Sequence, residues 1–181
     1  MADTSVILSD GGEQLSDDAN RREQFEAIYA QDQAGLARVS QLYGKHAADD
    51  LAQEIAMAIW VALKRFRGDS SLRTFAYRIA HNRGISYLNK RTFETLDEEP
   101  VSPERVEESV LVEQRRLQLL DAMSRLPPQT RQVVALSLEG LTYAEIAEVV
   151  GISENNVGVT LNRGKQRLQD LVASAQGGVE T

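Results

Sequence analysis

The stretch LTYAEIAEVVGISENNVGVTLNRGKQRL, from Leu141 to Leu168, has the pattern of two short helices joined by a tight turn. Thr142 stands three residues before Glu145, which is the spacing of a capping box at the start of a helix. Gly151 lies where that helix must end, because glycine adopts a positive φ at little cost. Ser153 is then placed to cap a second helix. The buried face of the first helix is predicted at Ile146, Ala147, Val149 and Val150.

The second helix of this pair combines an apolar stripe with a polar face. Val157, Leu161 and Leu168 recur at i, i+4 and i+11, which places them on one side of a helix. Asparagine, glutamine and arginine side chains carry paired groups that match base edges in the DNA major groove. They dominate the other face, which comprises Asn155, Asn156, Val159, Asn162, Arg163 and Gln166. The pattern predicts a DNA-binding helix-turn-helix, and the alternative is an αα-hairpin in an ordinary helical bundle.

The composition of the 181 residues predicts an all-α protein with one large domain or two small ones. Helical periodicity recurs from Phe25 onward, and no alternating run of β-branched residues bounded by turns occurs. No apolar run approaches the roughly 18 residues that a membrane span needs, and no signal peptide opens the chain. We therefore expect a soluble cytoplasmic protein without membrane insertion.

Residues with catalytic or metal-binding chemistry are scarce. The chain has no cysteine, which excludes disulfides, thiolate zinc sites and cysteine catalysis. Its two histidines, His46 and His81, are far apart in sequence, so a histidine metal site is not expected. No phosphate-binding glycine loop or nucleophile motif occurs. We expect no enzyme activity, no cofactor and no metal.

The net charge of −7 is unevenly distributed along the chain. Residues 64–91 carry eight basic side chains and one acidic one, whereas residues 92–113 carry one basic side chain and eight acidic ones. For phosphate binding, the distribution of charge matters more than the net charge. Because the acidic segments oppose the basic one, we expect the chain alone to bind duplex DNA poorly and to need a partner.

Two helical domains on a flexible acidic linker are the predicted architecture. The linker contains an acidic run together with Pro100 and Pro103, which is typical of a solvated, extended segment. The N-terminal residues are polar and acidic with little periodicity, which predicts a disordered tail. The expected order is a tail at residues 1–22, a domain at 23–91, the linker at 92–112, a domain at 113–173 and a tail at 174–181. In the second domain, Pro127-Pro128 should break a helix before another begins at Gln129.

The stretch DDLAQEIAMAIWVALKRF, which begins at Asp49, predicts an amphipathic helix. Its apolar face comprises Leu51, Ile55, Ala58, Ile59, Ala62 and Leu63. The other faces carry Asp49, Asp50, Gln53, Glu54 and Trp60. Acidic residues are favourable at a helix N-terminus, so an ordinary amphipathic helix explains the pattern. The alternative is a docking face, because an exposed tryptophan beside acidic and amide groups is typical of an interface hot spot.

The stretch RFRGDSSLRTFAYRIAHNRGISYLNKR, which begins at Arg65, combines a turn-rich loop with a basic helix. The loop spans Phe66 to Ser71, and the helix offers Arg73, Tyr77, Arg78, His81, Asn82 and Arg83. Phe75, Ile79 and Ile85 are expected toward the core. Cations that follow phosphates and aromatic rings that stack on bases suit single-stranded nucleic acid. The alternative is a solvated basic face whose aromatic residues belong to the core.

Taken together, these motifs resemble the bacterial RNA polymerase sigma factors of the small extracytoplasmic-function (ECF) group, in the sigma-70 family. In that family an acidic helix like DDLAQEIAMAIW precedes a loop and helix like RFRGDSSLRTFAYRIAHN. A C-terminal domain then opens with a motif like LPPQTRQVVALSLEGLTYAEIAEVVGIS. The resemblance covers roughly Phe25 to Leu171, and the loop-helix motif is much more specific than the helix-turn-helix alone.

The resemblance implies a role for each motif. Residues 23–91 would be a sigma-2-like domain that binds core polymerase and the minus-ten element, and residues 113–173 a sigma-4-like domain that binds the minus-thirty-five element. The docking residues Asp49, Asp50, Gln53, Glu54 and Trp60 would contact the clamp helices of the polymerase β′ subunit. A flipped base of the non-template strand would be captured by the loop residues Phe66, Arg67, Gly68, Asp69, Ser70, Ser71 and Leu72. The path of that strand and of the duplex just upstream would be lined by Arg73, Thr74, Tyr77, Arg78, His81 and Asn82. The upstream element would be contacted by Asn155, Asn156, Val159, Asn162, Arg163, Lys165 and Gln166.

The resemblance also implies partners and regulation. They are core RNA polymerase (including the β flap), promoter DNA and an anti-sigma factor, and the chain would be a monomer when free of them. It would be cytoplasmic, and associated with the nucleoid within the holoenzyme. The chain departs from the family pattern at Phe75, usually tryptophan, and at Gly158 and Thr160, where basic residues are common. We therefore expect upstream contacts to depend on amides and Arg163, and the preferred sequence to differ from the usual one.

Two other functions remain open from the sequence. An autonomous regulator would use the helix-turn-helix as a dimer and bind a palindromic duplex tightly without polymerase. The acidic charge balance and the lack of an obvious ligand-binding motif argue against it. A pure interaction protein, which mimics a sigma factor to titrate an inhibitor, could dispense with the basic loop and helix that this chain retains.

Overall fold

The computed structural model describes residues 7–44, 47–94 and 109–176 of the chain. Within these ranges it contains seven α-helices and no β-strand, which confirms the predicted all-α class. The helices are α1 (Ile7–Gly44), α2 (Ala48–Ala62), α3 (Leu72–Glu94), α4 (Ser109–Ser124), α5 (Pro128–Leu138), α6 (Tyr143–Val150) and α7 (Glu154–Gln176). A short 3-10 helix, Leu63–Arg65, follows α2 directly.

Helices α1, α2 and α3 form the N-terminal bundle. The predicted stripe Leu51, Ile55 and Ile59 of α2 faces its core, where each side chain is at most 1% exposed. Burying an aliphatic side chain of this size contributes about 1.5–3 kcal/mol. Tyr43 of α1 and Tyr77 of α3 complete this core, and both are likewise almost fully buried.

Helices α4 to α7 form the C-terminal domain, with α5 in contact with both α6 and α7. Pro127 precedes α5 and Pro128 begins it, as the Pro-Pro pair predicted, because proline lacks the N–H that a preceding turn would use. Helix α7 lies close to α5 at Gly164. A Cβ at this position would lie 2.6 Å from Val134 Cγ2 and 2.8 Å from Thr130 Cγ2. Glycine therefore sets the distance between these two helices.

The N-terminal segment differs from the disordered tail that composition predicted, because α1 begins at Ile7. The C-terminal end of that segment and the residues after it contact α2. The Arg21 guanidinium lies 4.2 Å above the Trp60 ring, and Phe25 packs edge-on against the same ring with centroids 5.5 Å apart. Composition cannot register contacts with a residue on another helix. Residues 1–6, residues 95–108 of the predicted linker and residues 177–181 of the predicted C-terminal tail lie outside the described ranges.

The two domains pack against each other. Helix α1 contacts α4, and α3 contacts α5 and α6. None of the described helices combines the length and the apolar composition needed to cross a lipid bilayer.

Candidate nucleic-acid interface

Helices α6 and α7 form the predicted helix-turn-helix. The Thr142 side chain accepts a hydrogen bond from the backbone N–H of Glu145 (3.3 Å), and the Glu145 carboxylate accepts one from the backbone N–H of Thr142 (2.8 Å). The backbone N–H and the hydroxyl of Thr142 both donate to the Glu145 carboxylate, and they hold the pKa of Glu145 below its usual value. Gly151 ends α6 with a φ of 75°, and Ser153 accepts a hydrogen bond from the backbone N–H of Asn156 (3.3 Å). The predicted capping box, turn glycine and second cap are therefore confirmed.

Helix α7 buries one side and presents the other to solvent. Val157 and Leu161 are at most 2% exposed and Leu168 is 9% exposed, as the stripe predicted. All the side chains predicted to contact the upstream element are exposed: Asn155, Asn156, Val159, Asn162, Arg163, Lys165 and Gln166. Amides and two cations thus lie along one outward face of the second helix, which is the element that enters the major groove in this motif.

The loop between Leu63–Arg65 and α3 is open around Gly68. Arg67, Gly68, Asp69 and Ser71 are exposed, whereas Phe66, Ser70 and Leu72 are half-buried. Gly68 has a φ of 79°, and no atom lies within 4 Å of the position of its missing Cβ. At one end the Phe66 ring packs against Phe75, with centroids 4.8 Å apart. At the other end the Ser71 hydroxyl accepts a hydrogen bond from the backbone N–H of Thr74 (3.0 Å). The loop is anchored at both ends and solvent-exposed between them.

Three residues that were expected to line the path of the strand are buried, which corrects that expectation. Thr74, Tyr77 and His81 of α3 are at most 1% exposed. Phe75, Ile79 and Ile85 are half-buried and pack against the core, as expected. Tyrosine and histidine have an apolar ring and a polar edge, so helical periodicity alone does not decide which face they occupy. The buried side of α3 therefore includes Thr74, Tyr77 and His81 in addition to the predicted core positions.

His81 belongs to the core of the N-terminal bundle. Its Nδ1 shares a hydrogen bond of 2.9 Å with the Tyr43 hydroxyl, and the two rings pack edge to face. Its Nε2 is buried without a hydrogen-bond partner among the residues that the structure describes. Burial lowers the pKa of His81 to about 3, because the imidazolium would lose its hydration. His81 is thus a neutral core residue in this conformation.

Two arginines of the expected strand surface have acidic partners. Arg73 Nε donates to Asp32 Oδ1 at 2.8 Å, and Arg73 Nη2 donates to the backbone carbonyl of Glu139 at 2.5 Å. Arg78 Nη2 donates to Glu148 Oε1 at 3.1 Å. Asp32 lies in the same bundle, whereas Glu139 and Glu148 belong to the C-terminal domain. Asn82 and Arg83, further along α3, are exposed.

The outward face of α2 carries the acidic and amide residues that were predicted to dock. Asp49, Asp50, Gln53 and Glu54 are exposed. Trp60 is only half-buried because Arg21 and Phe25 of α1 cover part of its ring, which corrects the expectation of an exposed tryptophan.

Two apolar residues on the same face of α2 were missed by the sequence reasoning. Met57 is 68% exposed and Val61 is 63% exposed. They follow Gln53 at four-residue intervals, and residues spaced by four lie on one side of a helix. The four-residue spacing of Gln53, Met57 and Val61 was the sequence signal that could have identified this face. The exposed face of α2 therefore has an apolar centre beside its polar residues.

Both domains match known family models in the predicted order. The model described as Sigma-70 region 2 matches residues 33–94, and the model described as Sigma-70, region 4 matches residues 116–168. The chain is 29% identical over 208 residues to the ECF RNA polymerase sigma factor SigG of Mycobacterium tuberculosis, covering 97% of this chain and 55% of SigG. It thus spans about half the length of that relative. It is 32% identical over 136 residues to the RNA polymerase sigma factor YlaC of Bacillus subtilis, covering 67% of this chain and 75% of YlaC.

Two solved structures share the fold. CnrH, solved in complex with the cytosolic domain of CnrY, has a TM-score of 0.64 at 22% identity, covering 88% of this chain and 94% of CnrH. The sigma factor RpoE of Bartonella quintana, solved with the anti-sigma factor NepR, has a TM-score of 0.61 at 19% identity, covering 87% of this chain and 98% of RpoE. With the two regions, the relatives and the helix-turn-helix in agreement, this chain belongs to the ECF group of the sigma-70 family of RNA polymerase sigma factors.

Proposed function

We propose that this chain is a transcription initiation factor that binds core RNA polymerase, directs it to specific promoters and helps to open the minus-ten element. The observation that carries this proposal is the outward face of α7, where amides and cations are exposed on the second helix of a helix-turn-helix. The same chain carries both sigma-70 regions. No covalent step is assigned to the chain, because holding and orienting DNA needs binding energy only.

Docking on polymerase is assigned to the outward face of α2. Exposed Met57 and Val61 form an apolar centre, with Gln53 and Glu54 beside them. An apolar centre within a polar rim is typical of protein interfaces. The partner is the pair of β′ clamp helices. Binding of the polymerase β flap is assigned to the C-terminal domain, where Leu138 is 62% exposed.

Binding of the opened strand is assigned to the loop Phe66–Leu72 and the exposed residues beside it. Extruding a base from the stack costs a few kcal/mol, which contacts in the loop would offset. Gly68→Ala places its Cβ in open space, so it acts only through the positive φ. We expect this variant to reduce the fluorescence increase of 2-aminopurine in the non-template strand when the holoenzyme opens a promoter.

Gly140→Ala is the matched control for the loop variant. Gly140 also has a φ of 79° and no atom within 4 Å of its missing Cβ, but it lies between α5 and α6. It should leave the fluorescence increase unchanged. An equal loss in both variants would contradict the assignment of base capture to this loop.

Upstream recognition is assigned to α7, with Asn162 and Arg163 as its main contacts. Gly158 and Thr160 supply no cation, so fewer phosphate contacts are available. The amides that contact base edges therefore contribute a larger share of the recognition. Asn162→Ala should change the upstream sequence preferred in a promoter selection, whereas Gln169→Ala, on the same helix and also exposed, should not. An unchanged preference at every upstream position would refute the role of Asn162.

Control by an anti-sigma factor is part of the proposal. Both similar structures are complexes, CnrH with the cytosolic domain of CnrY and RpoE with the anti-sigma factor NepR. A cytoplasmic location, with nucleoid association in the holoenzyme, follows from the proposed partners. The chain is proposed to be monomeric when free of them.

The experiment that tests the function is in vitro transcription. Purified bacterial core polymerase is mixed with the chain on a supercoiled template library, and start sites are sequenced. Specific starts should depend on the added chain and disappear when Gln53, Glu54 and Met57 are all changed to Ala, while Gln169→Ala keeps them. Binding to core polymerase without any starts would favour the sigma mimic. Tight duplex binding without core binding would favour the autonomous regulator.

A further inference from the structure

The outward face of α7 has an apolar residue at its centre. Val159 is 43% exposed, although valine is a weaker helix former than alanine or lysine and its side chain gains nothing from contact with water. Val157 and Leu161, each two residues away and at most 2% exposed, point to the opposite side of the helix. Neither helix propensity nor the core of the domain therefore accounts for a valine at this position.

Polar side chains surround Val159 on the surface of the helix. The surface neighbours of a helical residue are those three and four positions away. For Val159 they are Asn155, Asn156, Asn162 and Arg163, and all four are exposed. Val159 is thus the central position of the face that is proposed to read bases, and it is apolar, whereas the other residues assigned to this face are polar or charged.

The residues next to Val159 in sequence leave its side chain accessible. Gly158 and Thr160 are half-buried, and neither has a long side chain. On the Gly158 side, α7 is bordered by the Tyr143 ring of α6, because a Cβ at Gly158 would lie 3.4 Å from Tyr143 Cε2. Val159 therefore projects from the helix with a glycine and a half-buried threonine on either side of it.

The chemistry of the major groove selects a partner for an apolar side chain. Thymine presents a 5-methyl group there, and the other three bases of DNA present only hydrogen-bonding groups and ring edges. A valine neither donates nor accepts a hydrogen bond. The amino group of cytosine or the acceptor atoms of guanine would lose water against it without gaining a partner. The contact is therefore favourable with thymine and unfavourable with a G·C pair.

We propose that Val159 reads the 5-methyl group of a thymine in the upstream promoter element, at the base pair that faces the centre of α7. The surrounding amides and Arg163 bind the neighbouring base edges and phosphates, which fixes the position of the valine in the groove. This inference rests on the proposed function, because it takes α7 as the helix that enters the major groove. It adds a preferred base pair, A·T, at one defined position of the element.

The test is a binding selection with holoenzyme, made from the full chain and bacterial core polymerase, on two random-sequence duplex pools. One pool contains thymidine, and in the other deoxyuridine replaces it, which removes only the methyl group. Wild-type holoenzyme should enrich an A·T pair at one upstream position in the thymidine pool and lose that preference in the deoxyuridine pool. Val159→Ser should show no preference for A·T at this position in either pool. Because Val159 is exposed and serine has a similar helix propensity, this variant should fold as the wild type does.

Single-site substitutions in the enriched promoter isolate the methyl group. Deoxyuridine in place of that one thymidine should weaken wild-type holoenzyme binding on the order of fourfold, the factor expected for one buried methyl group. Val159→Ser should bind both promoters equally, whereas Gln169→Ala, exposed further along the same helix, should keep the fourfold difference. With a C·G pair at the same position, 5-methylcytosine should bind the wild type more tightly than cytosine does, because it returns a methyl group to the same ring position.

The outcomes separate this inference from the proposed function. An enriched upstream motif without an A·T preference, or with one that survives in the deoxyuridine pool, would overturn the reading of a methyl group and leave the proposed function intact. A fourfold deoxyuridine penalty that persists in Val159→Ser would overturn the assignment to Val159. Failure of the proposed function has a different signature, which is the absence of any enriched motif with holoenzyme, and this inference would fall with it.

Discussion

At the residue scale, Gly84 of α3 is a site of close packing in the N-terminal bundle. A Cβ there would lie 2.3 Å from Cδ2 of the Tyr43 ring, which itself is almost fully buried and bonded to His81. Gly158 of α7 is also a helical glycine, but its Cβ would meet only Cε2 of Tyr143, at 3.4 Å. Replacement by alanine gives the same gain in helix propensity at both sites. The two sites differ in the space that surrounds the added methyl group.

Gly84→Ala should therefore destabilise the protein by about 1–3 kcal/mol, because the Tyr43 ring must shift within a packed core. Gly158→Ala should be neutral or stabilise it by up to about 1 kcal/mol. Urea denaturation followed by circular dichroism measures both free energies of unfolding. Equal effects of the two substitutions would contradict the packing at Gly84.

The buried His81 gives the stability a pH dependence. Its folded pKa of about 3 lies below the unfolded value of 6.5, so between these values the unfolded state binds a proton that the folded state does not. Stability should therefore fall as the pH falls below 6.5. The loss from this residue between pH 7 and pH 5 should be about 2 kcal/mol. His81→Gln does not titrate and should lose that much less over the same range in urea denaturation. Identical pH profiles would show that His81 is not buried in the neutral form.

At the element scale, the helix-turn-helix is built by local signals. The capping box of α6 was predicted from Thr142 and Glu145 alone, because both partners lie within four residues and need no other part of the chain. The turn at Gly151 was likewise predicted from the local sequence, because glycine adopts a positive φ at little cost. The burial of Tyr77 and His81 on α3 was not predicted, because their rings could equally have faced water.

Removing the cap of α6 tests the contribution of these local hydrogen bonds. Thr142→Ala should destabilise the protein by about 1 kcal/mol, since two hydrogen bonds to the first turn are lost. Thr142→Ser keeps the hydroxyl and should stay within a few tenths of a kcal/mol of the wild type. Thermal unfolding of both variants provides the measurement. A Thr142→Ser loss as large as that of Thr142→Ala would assign the effect to the methyl group instead.

At the scale of the whole molecule, the charge distribution and the paired arginines oppose binding to duplex DNA. The basic segment 64–91 is flanked by acidic segments, and Arg73 and Arg78 have acidic or carbonyl partners. The free chain should bind promoter duplex at physiological salt with a Kd of about 10⁻⁴–10⁻⁶ M, the range of non-specific binding. Fluorescence anisotropy, with and without core polymerase, measures it. A nanomolar Kd for the free chain would favour the autonomous regulator.

The sequence by itself determined what depends on neighbours along the chain. Caps, the turn at Gly151, the apolar stripe of α7 and its exposed base-reading face follow from short spacings, because a helix brings residues three and four apart together. The tertiary structure alone decided what depends on distant segments. Arg38 and Glu139 meet across 101 residues, and Trp60 is covered by Arg21 and Phe25 of another helix. Such contacts arise from the packing of whole helices, and helical periodicity carries no information about which helices meet.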